Sequence, residues 1–138
     1  MAQATDILGD RWTLLILREA FYGVQRYDDM RADTGAPRSM LTNRLNKLVE
    51  HGLMRREPYQ EPGSRVRHAY VLTQMGLDLA PTFMALSDWG EKHALKSKSP
   101  VAVKDTRSGQ QLRVALLDEE GNETDLAHAA IIPVRQTR

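Results

Sequence analysis

Pro37-Arg38-Ser39-Met40-Leu41-Thr42-Asn43-Arg44-Leu45-Asn46-Lys47-Leu48-Val49-Glu50-His51-Gly52 carries the most regular pattern in this sequence of 138 residues. Leu41, Leu45, Leu48 and Val49 recur at i, i+4, i+7 and i+8, which lays one apolar stripe along a helix. Pro37 suits the first turn, where its missing N–H would be unpaired anyway, and Gly52 suits the position just past the end. The opposite side holds Arg38, Ser39, Thr42, Asn43, Asn46 and Lys47, all polar and several able to hydrogen-bond base edges. Taken alone, such a face is equally an ordinary solvated one. Its neighbours decide.

Upstream, Tyr27-Asp28-Asp29-Met30-Arg31-Ala32-Asp33 reads as a short helix with its acidic residues in the first turn, where the helix dipole favours them. It stops at Thr34-Gly35-Ala36-Pro37, where Gly35 permits the positive φ of a tight turn. Two helices joined by a short glycine-containing turn, the second with a polar outer face, predict a helix-turn-helix. Downstream the period changes to that of strands. Leu53 to Tyr59 is expected to end at Pro58, Gln60-Glu61-Pro62-Gly63-Ser64 is a turn cluster, and Arg65 to Leu72 alternates as a return strand. A strand, an arginine-bearing Pro-Gly loop and a second strand, directly after a recognition helix, make a β-wing that can track phosphates or reach the minor groove.

The rest of the chain frames this unit. Asp10 to Tyr22 predicts a helix with Asp10 as N-cap and Gly23 after its end, apolar around most of its circumference and therefore central to the core. Ala2 to Leu8 predicts a short preceding helix ended by Gly9, and Val24 to Tyr27 no more than a stub of strand. Beyond the wing, Thr73 caps a predicted helix over Gln74 to Ala94, in which Pro81 implies a kink or a restart. That helix carries Leu77, Ala80 and Met84 on one face and Leu79, Phe83, Leu86 and Trp89 on another, enough apolar surface for a dimerisation element or for packing on its own domain. Trp12 and Trp89 are expected to be buried in the core or a dimer interface. Lys96 to Pro100 reads as a polar linker, and the β-like residue types beyond it as a small β-meander ending in a strand at Ile131 to Val134. The expected fold class is α+β: a winged helix-turn-helix with a long C-terminal dimerisation helix over 1–96, and a β-rich extension over 97–138.

Charge sharpens this reading. The net charge is only +1, yet residues 37–72 hold seven Lys/Arg against three Asp/Glu, a local +4, while residues 1–36 hold four against six. A basic patch on a near-neutral protein is the electrostatic footprint of a DNA-binding module. The sequence has no cysteine, which excludes a disulfide framework, thiolate metal site or thiol switch in the chain as given. No apolar run is long enough to span a bilayer and no secretory cleavage pattern opens the chain, so a cytoplasmic protein with no membrane partner is expected. His51, His68, His93 and His128 are scattered, without metal-ligand or nucleophile spacing. No enzyme, metal or cofactor is expected.

Ile7-Leu8-Gly9-Asp10-Arg11-Trp12-Thr13-Leu14-Leu15-Ile16-Leu17-Arg18-Glu19 resembles the signature of the HxlR-type regulators, which share the architecture of the MarR group. Leu41-Thr42-Asn43-Arg44-Leu45, Leu48-Val49-Glu50-His51-Gly52-Leu53, Tyr70-Val71-Leu72-Thr73 and Trp89-Gly90 fit the same pattern in order and spacing, so the resemblance covers about residues 4–93. It implies a homodimeric DNA-binding protein whose terminal helices form the dimer and whose subunits each present one recognition helix and one wing. Some relatives sense oxidants through a cysteine just before the first helix, and no such residue stands here.

Arg38, Ser39, Thr42, Asn43 and Lys47 are therefore the candidates for major-groove contacts, where arginine suits guanine and asparagine suits adenine. Arg44 joins them beside the leucine stripe, as a phosphate contact or a brace for the helix. Ser64, Arg65 and Arg67 are the candidates on the wing. The expected function is sequence-specific binding of double-stranded DNA by a homodimer at a pseudo-palindromic site, to regulate transcription. Two alternatives stand beside it: a winged helix whose basic face meets an acidic protein, and a regulator controlled by an unidentified small-molecule effector.

Overall fold

The computed structural model describes residues 1–94 and 98–134. It divides into two compact units, the first Met1–Phe83 and the second from Met84 onward. The expected boundary at 96/97 and the first residues of the expected linker lie outside the described residues.

In the first unit, α1 (Ala2–Leu8), α2 (Arg11–Phe21), α3 (Tyr27–Thr34) and α4 (Arg38–Glu50) precede an antiparallel ribbon of β1 (Met54–Tyr59) and β2 (Arg67–Leu72). Asp10 begins α2 as expected, its carboxylate accepting from the Thr13 N–H at 3.0 Å. Ile16 and Leu17 of α2, Met30 of α3, and Leu41, Leu45 and Leu48 of α4 form the buried core with Leu53 and Met54. The leucine stripe thus turns inward, and the opposite face of α4 has to turn out. Trp12 packs against this core half-buried. Glu19, the one buried charged residue among those described, accepts a 2.7 Å hydrogen bond from Arg18.

Two turns set the angle of α4. At the first, Gly35 adopts φ +70° and donates back to the Arg31 carbonyl at 2.9 Å, a left-handed cap that directs the chain from α3 into α4. At the second, Gly52 adopts φ +82° and the Leu53 N–H closes on the Leu48 carbonyl at 2.9 Å. Thr73 then ties this corner to the next element, its hydroxyl donating to the Gly52 carbonyl while its N–H donates to that of Leu53.

The ribbon pairs Met54 with Leu72 through to Tyr59 with Arg67. Pro58 lies inside β1 opposite His68, instead of ending it. A two-stranded ribbon leaves each strand a free edge, where a missing N–H costs no ladder bond. β2 begins at Arg67, so Arg65 and Val66, expected in the return strand, belong to the loop over residues 60–66. The stub before α3 adds an isolated bridge between Arg26 and Ala69.

The helix expected over Gln74 to Ala94 is two helices, α5 (Gln74–Leu77) and α6 (Ala80–His93). Pro81 explains the restart, because proline is tolerated in a first turn and not in a helix interior. Gly76 packs so closely that a Cβ there would collide with the Leu53 carbonyl and the Leu72 side chain.

In the second unit none of the described residues is buried, and Trp89, expected to be covered, is 59% exposed in the single chain. The expected meander is reduced to β3 (Leu116–Leu117) paired with β4 (Glu123–Thr124), an isolated bridge between Lys104 and Gln111, and a 3-10 turn at Leu126–His128. Ile131 to Val134 form no strand. Asp105 and Asp118 instead hold the turns, each accepting from backbone N–H groups two to four residues ahead. Short polar turns of this kind need little apolar alternation.

Candidate nucleic-acid interface

α4 presents Arg38, Ser39, Thr42, Asn43, Asn46 and Lys47 to solvent. The burial of Leu41, Leu45 and Leu48 forces this, since positions between them on the helical wheel have no other place to go. The six form one continuous polar strip along the helix. The loop over residues 60–66 carries the second part of the surface, with Ser64 and Arg65 both exposed. Its turn is held by the Ser64 N–H on the Glu61 carbonyl at 3.0 Å, with Gly63 at φ +78°, and by Gln60 Nε2 on the Ser64 carbonyl at 2.9 Å.

The basic residues of the +4 window divide by what holds them. Arg44 turns back along α4 to Asp10, with Nη2 on Oδ2 at 2.7 Å, and its side chain is only 20% exposed. Hydrogen bonding to Arg44 holds the Asp10 carboxyl down at a pKa of about 2, and the same bond raises the guanidinium. Arg67 leans on Asp28 at 3.3 Å, Arg55 on Glu57 at 2.6 Å, and Arg56 donates to Asn46 Oδ1 at 2.5 Å. Arg38, Lys47, Arg56 and Arg65 have no ion-pair partner among the described residues, Arg56 meeting a neutral amide instead, and Arg38 sits 5.8 Å from the centre of the Tyr27 ring. Four cations are left to face a polyanion.

The guanidinium contacts also orient two amides. Arginine has donors only, so the atom of Asn43 that meets Arg44 Nη1 at 2.6 Å is Oδ1, and likewise for Asn46 and Arg56. Both asparagines therefore direct their NH2 groups away from those arginines. The bidentate pairing with adenine expected of Asn43 needs its carbonyl oxygen too, and that oxygen is already engaged once.

Every sequence-predicted residue of α4 except Arg44 lies on the exposed strip. Ser64, Arg65 and Arg67 lie on the wing, Arg67 inside β2. Sequence reasoning missed Tyr27. Its hydroxyl meets the Arg38 carbonyl at 2.9 Å and the Thr42 hydroxyl at 3.0 Å, joining α3 to the outer face of α4. No local signal marks it, because the contact exists only once the two helices cross. Among the described residues no group of three or more His, Asp or Glu side chains could hold a metal ion, and no helix is long and apolar enough to cross a membrane.

Residues 7–98 match the family model described as HxlR-like helix-turn-helix. The chain belongs to the HxlR-like helix-turn-helix family. An uncharacterized HTH-type transcriptional regulator of Mycobacterium tuberculosis is 42% identical over 100 residues, covering 72% of this chain and 62% of the relative. The chain thus spans less than two thirds of the length of that relative. An uncharacterized HTH-type regulator of Synechocystis is 36% identical over 94 residues, covering 64% of this chain and 68% of the relative. Among solved structures, PA1607, named as a candidate transcription factor, superposes with a TM-score of 0.76 at 32% identity, over 95% of this chain and 92% of that one. The redox regulator HypR in its oxidized form gives 0.61 at 25% identity, over 68% and 96%. The first unit of this HxlR-like chain has the winged-helix fold of these proteins, and the match to PA1607 extends into the C-terminal extension.

Proposed function

We propose that this chain is a sequence-specific, double-stranded DNA-binding transcriptional regulator. The observation that carries the reading is the junction of the exposed strip on α4 with a β-wing whose Arg65 is unpaired. A helix of this width fits the major groove, and a ribbon beside it reaches the flanking backbone. Arg38, Ser39, Thr42, Asn43 and Lys47 meet base edges or adjacent phosphates. Ser64 and Arg65 contact the backbone or minor groove, and Arg67 follows if the exposed Asp28 pair opens. Of the two roles expected for Arg44, the pair with Asp10 supports the brace. Held by Asp10, it braces α4 against the start of α2 and does not read DNA.

The protein acts as a homodimer in the cytoplasm, with two recognition helices on a pseudo-palindromic site whose half-sites lie roughly 34–36 Å apart. The names of the relatives support regulation of transcription, and the exposed Leu86 and Trp89 of α6 support a second copy covering that helix. The function needs no catalytic group, metal or cofactor. The redox response named for HypR is not carried over, because this sequence has no cysteine.

Selection of bound fragments from a random duplex pool, followed by fluorescence anisotropy across a salt series, tests the reading. The expected product is one enriched motif with two-fold symmetry, bound more weakly as salt rises. Failure to enrich any sequence at low salt would refute it.

A further inference from the structure

Tyr27 is the polar contact of α3 that reaches the outward face of α4, and its hydrogen bonds constrain what that face can read. The phenol has a single proton. The Arg38 carbonyl, 2.9 Å away, can only accept, so the proton lies on that bond. The Thr42 hydroxyl, 3.0 Å from the same phenol oxygen, must then be the donor in the second contact. The Arg38 carbonyl is also the i−4 acceptor to which a helical threonine hydroxyl ordinarily turns. Tyr27 occupies that acceptor and offers its own oxygen in exchange. The Thr42 proton is thereby directed towards α3, and the lone pairs remain for whatever faces the helix.

We propose that Tyr27 is a specificity-positioning residue: it fixes Thr42 as a hydrogen-bond acceptor, so that Thr42 selects a base bearing an exocyclic amino group. This rests on the DNA-binding reading above. In the major groove the amino groups are N6 of adenine and N4 of cytosine, while guanine O6 and N7 and thymine O4 only accept. A free threonine hydroxyl would serve either class. One locked by Tyr27 serves the first and leaves two facing acceptors against the second. Tyr27 also places its ring beside the Arg38 guanidinium, 5.8 Å away, so the replacement that removes only the hydroxyl keeps that neighbour in place.

The test is selection of bound duplexes by the full chain and by Thr42→Val, Thr42→Ser and Tyr27→Phe, with melting curves showing that each variant is folded. The position at which Thr42→Val flattens the motif identifies the base that Thr42 meets. At that position the wild type is expected to prefer adenine or cytosine over an analogue lacking only the amino group by roughly fivefold, the weight of one neutral hydrogen bond. Thr42→Ser restores the preference. In Tyr27→Phe the hydroxyl is free to divide between the Arg38 carbonyl and the base, and the preference relaxes at that position alone. A motif with guanine or thymine read there through its keto oxygen overturns the proposal, as does a preference unchanged in Tyr27→Phe. A wild-type protein that enriches no sequence overturns the DNA-binding reading itself, and this inference with it.

Discussion

The pair between Asp10 and Arg44 gives the most informative perturbation, because Asp10 performs two separable tasks. It caps α2 through the Thr13 N–H and holds the Arg44 guanidinium at 2.7 Å. Asp10→Ala removes both. Loss of the cap costs about 1 kcal/mol, and loss of a partly exposed charge-assisted pair about another 1 kcal/mol, between the surface and buried limits. The expected total is about 2 kcal/mol. Asp10→Asn keeps an oxygen for the cap and is expected to cost about half as much, as is Arg44→Met, which retains the apolar stem. The same pair sets an acid limb of stability. The Asp10 carboxyl titrates at about 2 in the folded chain, below its ordinary value of 3.8. Its contribution is complete above pH 5 and disappears as the pH falls from about 4 to about 2. With 35% of the side chain exposed, solvent screening reduces that contribution to about 1 kcal/mol. Urea unfolding read by Trp12 fluorescence in a Trp89→Phe background measures all of these in the first unit. The reasoning is refuted if Asp10→Ala and Asp10→Asn unfold at the same urea concentration. It is refuted equally if the Asp10→Asn/Arg44→Met double-mutant cycle gives no coupling. DNA binding supplies the cross-check: Arg44→Met should leave the slope of log affinity against log salt unchanged, and a fall of about 0.9 would place Arg44 on a phosphate.

Arg65→Ala should weaken binding to operator and random duplex alike and reduce the salt slope by about 0.9, checked by anisotropy titrations from low to moderate salt. Leu45→Ala, which empties a fully buried position beneath the recognition face, should cost about 2–5 kcal/mol in urea unfolding. Gly76→Ala should destabilise the first unit by more than an exposed glycine-to-alanine change can, because the new methyl meets the Leu53 carbonyl, which is backbone and cannot turn aside. A melting temperature unchanged in Gly76→Ala would mean that the corner between β1 and α5 is looser than its packing implies.

Local signals account for the parts of the fold that could be read directly. The Leu41/Leu45/Leu48 stripe, the Asp10 cap and the left-handed glycines at 35 and 52 act within a few residues of themselves, and so do their structural consequences. The breaks in the reading come where a local signal had two outcomes. Pro81 permitted a kink or a restart; the chain turns at residues 78 and 79 and restarts, which places Pro81 in the first turn of α6, where proline is tolerated. The alternation from Arg65 suggested a strand two residues too early, because register with β1 closes at the Tyr59–Arg67 pair and leaves nothing opposite Arg65 and Val66. In the extension, Val, Leu and Ile suggested strands by residue type alone. Aspartate turns dominate instead, and two-residue strands are what remain.

The candidate site divides in the same way, and charge shows why. Seven cations in residues 37–72 are equivalent in a sequence window, where each contributes one unit to the local +4. In the folded chain they are not equivalent, because their partners come from elsewhere. Asp10 lies 34 residues before Arg44, and Asp28 lies 39 before Arg67. A paired arginine must give up its carboxylate before it can neutralise a phosphate, so its net gain from DNA is smaller than that of an unpaired one. On the proposed DNA-binding reading, the effective charge presented to a duplex is set by Arg38, Lys47, Arg56 and Arg65, the first two on the helix that carries Thr42. Arg38 and Lys47 bracket it along α4, and Arg65 extends the footprint through the wing. On that reading the cations position the helix and the polar groups between them discriminate, which is the division of labour that phosphate and base contacts require.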